Sequence, residues 1–325
     1  MALAILIIGI ALFFDFLNGF HDSANSIATV VSTRVMKPHQ AVMMAAFANF
    51  IGAFVFTTAV AATIAKGIVT PSGITLTTIL AGLLGACLWN IITWYLGLPT
   101  SSSHALIGGM IGAVIVKAGT GALVMDGIIK TFTFILIAPL LGVFGGIVFT
   151  IILLLIIRGR SSKSISGLFK KMQIGSSFLY SLSHGTNDAQ KTMGIIALTL
   201  IASGYISKSS EIPIWVILSS HAAIALGTYL GGWKIVKTMG TKLIHLRPFE
   251  GFCAETASAV TLFTTAAMGI PVSTTHVIAG GIIGVGTVEN AKKVKWITTR
   301  KIFMAWVVTI PVSILFGMIF SLIIK

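Results

Sequence analysis

Charge is what this sequence has least of. Asp, Glu, Lys and Arg together make up 9% of its 325 residues, where a soluble domain carries about 25%. With 56% of positions hydrophobic, the chain cannot cover a water-facing surface. That excludes a soluble globule and leaves a polytopic membrane protein whose solvent is the lipid bilayer. Acids are the scarcest charged residues, 8 against 22 Lys and Arg. In a soluble chain a net charge of +14 would point to nucleic acid; here the basic residues fall in loops between apolar runs, so no nucleic-acid partner is implied. Cysteine is nearly absent. Cys87 and Cys253 both sit in apolar segments, so no disulfide framework is expected. No Gly-x-Ser-x-Gly elbow and no His-Glu-x-x-His motif occurs, which argues against a membrane hydrolase; no enzymatic activity and no organic cofactor are expected. The first apolar run begins at Met1 without a basic n-region or an Ala-x-Ala site, and reads as a retained span.

What is present is repetition. Gly97-Leu-Pro-Thr-Ser-Ser-Ser-His104 is echoed by Gly269-Ile-Pro-Val-Ser-Thr-Thr-His276, and each opens a glycine-rich apolar stretch. The glycine, proline, first serine and histidine recur at an offset of 172 positions. Proline stops the preceding element, and Ser/Thr before an apolar run is a helix N-cap signal. A helix N-terminus presents free N–H groups and a partial positive charge, so it suits an anion. Two such ends in one apolar chain suggest an anion held between two half-helices at mid-membrane depth. The alternative is that these are small-residue packing positions between membrane helices.

The apolar runs set out the architecture. Spans are expected over 2–18, 40–65, 74–96 and 127–157, with a half-helix at 99–116. After the midpoint they recur over 172–183, 214–231, 249–268 and 302–324, with a half-helix at 271–288. The first and sixth runs carry Asn18-Gly-Phe-His-Asp-Ser-Ala-Asn25 and His184-Gly-Thr-Asn-Asp-Ala-Gln-Lys191, read as breaks inside the membrane after which each helix resumes. Pro139 is expected to kink its span. This gives an all-α fold of two repeats, 1–157 and 172–325, joined by a basic linker, 158–171, with about five membrane-crossing units each. An odd number of crossings inverts the second repeat relative to the first. With the N-terminus outside, 16 of the 22 Lys and Arg fall on one face, five on the other, and Lys191 lies in the second break. The bias makes the basic loops cytoplasmic and puts both termini outside a cell membrane crossed many times.

The acids within this framework are the candidates for chemistry. A carboxylate near mid-membrane costs roughly 2.5–3.5 kcal/mol, so Asp22, Asp188 and Glu255 unpaired would cost on the order of 8–10 kcal/mol. Lys191 is the one base near them, and further cations are needed: bound Na⁺, or protons on the carboxylates. Unwound carbonyls at a break, with Asp22, Asn25, Asn187 and Asp188, would make a hard-oxygen cation site; otherwise the two aspartates cap the resumed helices. His21, His104, His184 and His276 stand at the four special turns, where they either fix broken backbone by hydrogen bonds or, with the acids, hold a transition metal.

At these residues the sequence resembles the inorganic phosphate transporter (Pit/PiT) family. The resemblance is carried by residues 15–29 (Asp15-Phe-Leu-Asn-Gly-Phe-His-Asp-Ser-Ala-Asn-Ser-Ile-Ala-Thr29) and 183–194 (Ser183-His-Gly-Thr-Asn-Asp-Ala-Gln-Lys-Thr-Met-Gly194). Gly231–Gly240, Arg247–Ser258 and Pro271–His276 also carry it. It implies an inverted-repeat symporter, often a homodimer, moving inorganic phosphate with Na⁺ or H⁺ as coupling ion. By that resemblance Ser101, Ser102, Ser103, Ser273, Thr274, Thr275 and Gln190 would hold phosphate. Asp22, Asn25, Asn187, Asp188 and Glu255 would serve the coupling cation, the first four as Na⁺ ligands if sodium is the ion. Where many eukaryotic members have Glu in the second span, this chain has Asn49. Family members that move sulfate or a metal–phosphate complex keep those substrates open as alternatives.

Overall fold

In the computed structural model, which describes residues 1–55, 58–67, 74–159, 162–207 and 210–324, the chain is helical throughout. Pro71 and Gly73, between the expected spans 40–65 and 74–96, lie outside the described residues, as do Arg160, Lys208 and Lys325. In chain order the helices are α1 (Ala2–Ser32), α2 (Pro38–Ile51), α3 (Ala59–Gly67), α4 (Leu76–Leu96), α5 (Ser102–Ala118) and α6 (Met125–Ile156). They continue as α7 (Ser162–Ala202), α8 (Ile214–Leu230), α9 (Trp233–Thr241), α10 (Pro248–Ala267), α11 (Thr274–Asn290) and α12 (Trp296–Ile323). Among the described residues four are long and apolar enough to cross a membrane, or up to six if each of the bent pairs α2–α3 and α8–α9 forms one span. Taking those pairs as single units, α1 to α6 and α7 to α12 are two successions of the same five units.

The helices are broken, but not where the polar motifs lie. Both α1 and α7 run without interruption through Asn18–Asn25 and His184–Lys191; the bends come between α2 and α3 (81°) and between α8 and α9 (72°). Backbone groups in a bilayer must be satisfied within the chain, and a continuous helix does this. The polar side chains of the motifs are buried between helices rather than turned back to cap them. Gly19 owes its place to contact, not to a turn. A Cβ there would stand 2.1 Å from the Ile224 carbonyl oxygen on α8, and one on Gly227 would stand 2.0 Å from the Phe16 oxygen on α1. The basic stretch 158–171 is likewise helical from Ser162, and Lys234 and Lys237 belong to α9 rather than to a loop.

Packing crosses between the two successions. The half-helix α5 lies on α12, and its counterpart α11 lies on α6. Gly112 meets the Ile314 oxygen of α12 and Gly284 the Val143 oxygen of α6, at 2.0 and 2.2 Å from an added Cβ. On α6 the buried positions Ala138, Gly142, Gly146 and Thr150 recur every fourth residue, a small-residue stripe of the kind that lets membrane helices approach. The rest of α6 is apolar and exposed, including Leu136, Leu140, Phe144 and Leu155, as a lipid-facing surface requires. Likewise α1 lies on α8, and α7 on α2.

Two apolar cores result. One gathers Ile7, Ala11 and Phe14 of α1 with α4, α5, the later part of α7 and α8. The other gathers Ala24, Ile27 and Val30 of α1 with Tyr180 of α7 and residues of α2, α9, α10, α11 and α12. Between them along α1 and α7 runs a belt of buried polar residues, Asn18 to Asn25 and Ser183 to Lys191.

Candidate functional site

The two proline-hydroxyl turns end as their sequence predicts. Ser101 and Ser273 are N-caps, each accepting the backbone N–H of the histidine three residues on, at 3.3 Å from His104 and 3.2 Å from His276. Each cap is worth about 1 kcal/mol and fixes where α5 and α11 begin. The two tips come together: the His104 and His276 rings lie 4.7 Å apart, and Trp306 of α12 stacks on His276 at 3.9 Å. The Trp306 indole also donates to the Pro99 carbonyl at 2.9 Å, so one side chain ties the first turn to the tip of the second half-helix. All six hydroxyl residues at the tips are buried, and the Ser102 hydroxyl has no hydrogen-bond partner among the described residues.

The tip of α11 meets the aspartates. Thr274 donates to Asp188 Oδ2 at 3.1 Å, and Thr275 to Asp22 Oδ2 at 3.2 Å. The tip of α5 is reached through His21, whose Nδ1 lies 2.7 Å from Asp22 Oδ1 and whose Nε2 lies 3.4 Å from the Thr100 hydroxyl and 3.2 Å from that of Thr93. Lys191 is wholly buried; its ammonium donates to Asp188 Oδ1 and, at 2.9 Å, to the Val272 carbonyl in the second proline turn.

His184 stands where the two aspartates converge. Its Nε2 is 3.4 Å from Asp188 Oδ2 and 4.0 Å from Asp22 Oδ2. Hydrogen-bond accounting fixes its tautomer. The Thr228 hydroxyl gives its proton to the Ile224 carbonyl at 2.9 Å, so its oxygen accepts from Asn49 Nδ2 at 2.8 Å. The Asn49 carbonyl oxygen therefore faces His184 Nδ1 at 3.3 Å, and Nδ1 must be the donor. A neutral His184 consequently directs the Nε2 lone pair toward two carboxylate oxygens, a gap that only a proton or a cation can bridge. Asp22, His184 and Asp188 each offer one ligand atom within 4.8 Å of the others, and the side-chain oxygens of Asn18, Asn25 and Asn187 are buried without partners among the described residues. Because α1 and α7 are continuous, the unwound carbonyls expected at these motifs do not form, and side-chain oxygens are the acceptors the motifs offer.

Two predicted residues are occupied elsewhere. Gln190 accepts the Val60 and Ala61 N–H groups at 2.9 and 3.3 Å, so its carbonyl oxygen caps the start of α3. Glu255 accepts from Thr29, Ser176 and, at 3.2 Å, Gln173, none of which belongs to the two polar motifs. Asn187 donates to the Leu262 carbonyl at 2.9 Å. Sequence alone does not disclose that Thr228 orients Asn49 toward His184; the one signal it offers is Asn49 itself, a lone Asn in the apolar run 40–65.

The chain matches the model of the phosphate transporter family (PHO4) twice, over residues 18–163 and 156–317. It is 49% identical over 309 residues to a probable low-affinity inorganic phosphate transporter of Rhizobium meliloti, covering 95% of this chain and 92% of that one. A probable low-affinity inorganic phosphate transporter of Bacillus subtilis is 44% identical over 321 residues, covering 98% and 96%. Among solved structures, one described as the sodium-dependent phosphate transporter superposes with a TM-score of 0.89 at 25% identity, over 99% of each chain.

Proposed function

We propose that this chain, which belongs to the phosphate transporter family, is a multi-pass membrane protein that carries inorganic phosphate together with Na⁺ or H⁺ by alternating access. The observation that carries this reading is the meeting of two serine-capped helix N-termini, marked by the His104–His276 contact, beside a pair of buried aspartates. Helix tips and hydroxyls supply donors for an anion; the aspartates and the open Asn oxygens supply acceptors for a cation. In this reading Ser101–Ser103 and Ser273–Thr275 hold phosphate, while Asp22, Asn25, Asn187 and Asp188 hold the cation. Gln190 and Glu255 support the surrounding helices. The repeat at residues 172–325 is inverted relative to that at 1–157, and the basic loops face the cytoplasm, in keeping with the 16-to-5 division of Lys and Arg. A sodium-dependent neighbour favours Na⁺ as the coupling ion.

The decisive experiment is uptake of labelled phosphate into proteoliposomes under imposed Na⁺ and H⁺ gradients. Acceleration by one of them is expected, and uptake indifferent to both refutes the reading. Sulfate competition across pH separates a sulfate permease from a phosphate carrier, since hydrogen phosphate brings a proton and sulfate does not. The Asp22–His184–Asp188 cluster favours one second reading, in which phosphate enters with a divalent metal. Stoichiometric co-uptake of the metal, lost in His184→Asn, is its signature.

A further inference from the structure

The two polar motifs superpose at an offset of 166 positions, Asp22 on Asp188 and Gly19 on Gly185, and this places Asn25 on Lys191. The two members of that last pair do different chemistry. Asn25 donates its amide to the Thr275 hydroxyl at 2.8 Å and keeps a buried carbonyl oxygen with no partner, a ligand atom for a positive ion. Lys191 has three donors and no acceptor. It cannot ligate a cation, and it already lies on Asp188 Oδ1.

We propose that the Lys191 ammonium is a tethered cation that permanently fills, in the second repeat, the position a mobile coupling ion fills in the first. The inference rests on the cation-coupled reading above and adds to it the number of ions. Lys191 already balances Asp188 through Oδ1 and leaves only Oδ2 toward the shared site, while Asp22 has, among the described residues, His21 as its one basic contact at hydrogen-bond distance and is joined through the Thr275 hydroxyl to Asn25, whose side-chain oxygen has no partner there. An ammonium held by its own helix and by the Val272 carbonyl cannot leave with the phosphate, so it contributes charge balance without contributing driving force. The repeat with Asn25 couples transport to a gradient; the repeat with Lys191 does not.

The test is the number of cations moved per phosphate, read from the phosphate accumulated in proteoliposomes at steady state against imposed Na⁺ and H⁺ gradients. Lys191→Arg keeps the charge and should keep the wild-type number. Lys191→Asn recreates the first motif and should raise it by about one cation per phosphate, with steeper accumulation at a given gradient. Lys191→Asn that transports with the wild-type number overturns the proposal. Should Lys191→Asn fail to transport, the purified protein decides by thermal unfolding against added NaCl and against pH. A cation-dependent stabilisation larger than that of the wild type, which keeps its first-repeat ion, is expected, because each ligand bound to the native state alone raises its stability; a stabilisation equal to the wild type's overturns the proposal. Wild-type uptake indifferent to both gradients would instead refute the coupled reading itself, whereas coupled wild-type uptake with an unchanged number in Lys191→Asn refutes only the role of Lys191.

Discussion

Thr228→Val tests the hydrogen-bond accounting around His184 without touching any group proposed to meet phosphate or cation. The substitution keeps the side-chain shape and removes the oxygen that accepts from Asn49 Nδ2. Leaving that buried donor unpaired costs about 1–3 kcal/mol of stability. The Asn49 amide then keeps only the bond its oxygen accepts from His184 Nδ1, and a rotated amide that donates an N–H to Nδ1 becomes competitive with it. Nδ1 becomes an acceptor, the proton moves to Nε2, and Nε2–H donates to Asp188 Oδ2, now 3.4 Å away. A donor would thus point into the gap that a cation has to enter. One net hydrogen bond of about 1.4 kcal/mol competing with the ion corresponds to roughly a tenfold loss of cation affinity. The assay is the cation concentration giving half-maximal phosphate uptake, alongside the thermal unfolding midpoint. Thr228→Ser, which keeps the hydroxyl, should match the wild type in both. A folded Thr228→Val with unaltered cation dependence refutes the tautomer assignment.

Other outcomes follow from the same geometry. Asp22→Asn should abolish gradient-driven uptake with little change in stability. Asp188→Asn should abolish it too but lower stability by about 3–5 kcal/mol, because Lys191 is left as an uncompensated buried charge; equal unfolding midpoints for the two variants would contradict this. Glu255→Gln turns an amide toward at least one of the donors Thr29, Ser176 and Gln173; a fall in stability of about 1–3 kcal/mol is expected with gradient-driven uptake retained, and loss of coupling in a stable variant would place Glu255 in the ion path. Gly19→Ala forces a methyl against the Ile224 carbonyl and should cost about 1–3 kcal/mol, visible as a lower midpoint in detergent; a neutral result would mean that α1 and α8 slide apart at no cost.

The features legible in the sequence were those with a local cause. Ser101 and Ser273 cap because a hydroxyl after proline can reach an N–H three residues on, and nothing distant alters that. The division into two sets of five units was legible because apolar length is set by the bilayer. The position of the breaks was not. Glycine permits a turn or a close approach equally well, and only the Ile224 carbonyl, more than 200 positions further along the chain, shows that Gly19 does the second. The basic stretches around Lys170 and Lys234 read as loops because charge marks a membrane face, although a helix can present the same charges there. Lys191 and Asp188, three apart on one helix, were expected to be neighbours. The path from Thr228 through Asn49 to His184 joins three helices whose pairing no periodicity discloses.

The exchange of helices between the two halves has a consequence for biogenesis. The tip of α5 carries half of the proposed anion cradle, yet the partner that buries its glycine face and grips the Pro99 carbonyl is α12, which leaves the ribosome after every other helix of the site. During synthesis the first half must therefore wait in the bilayer with an unfilled groove along Gly108 and Gly112, and a chain halted before Trp306 would insert its earlier spans yet never assemble the cradle.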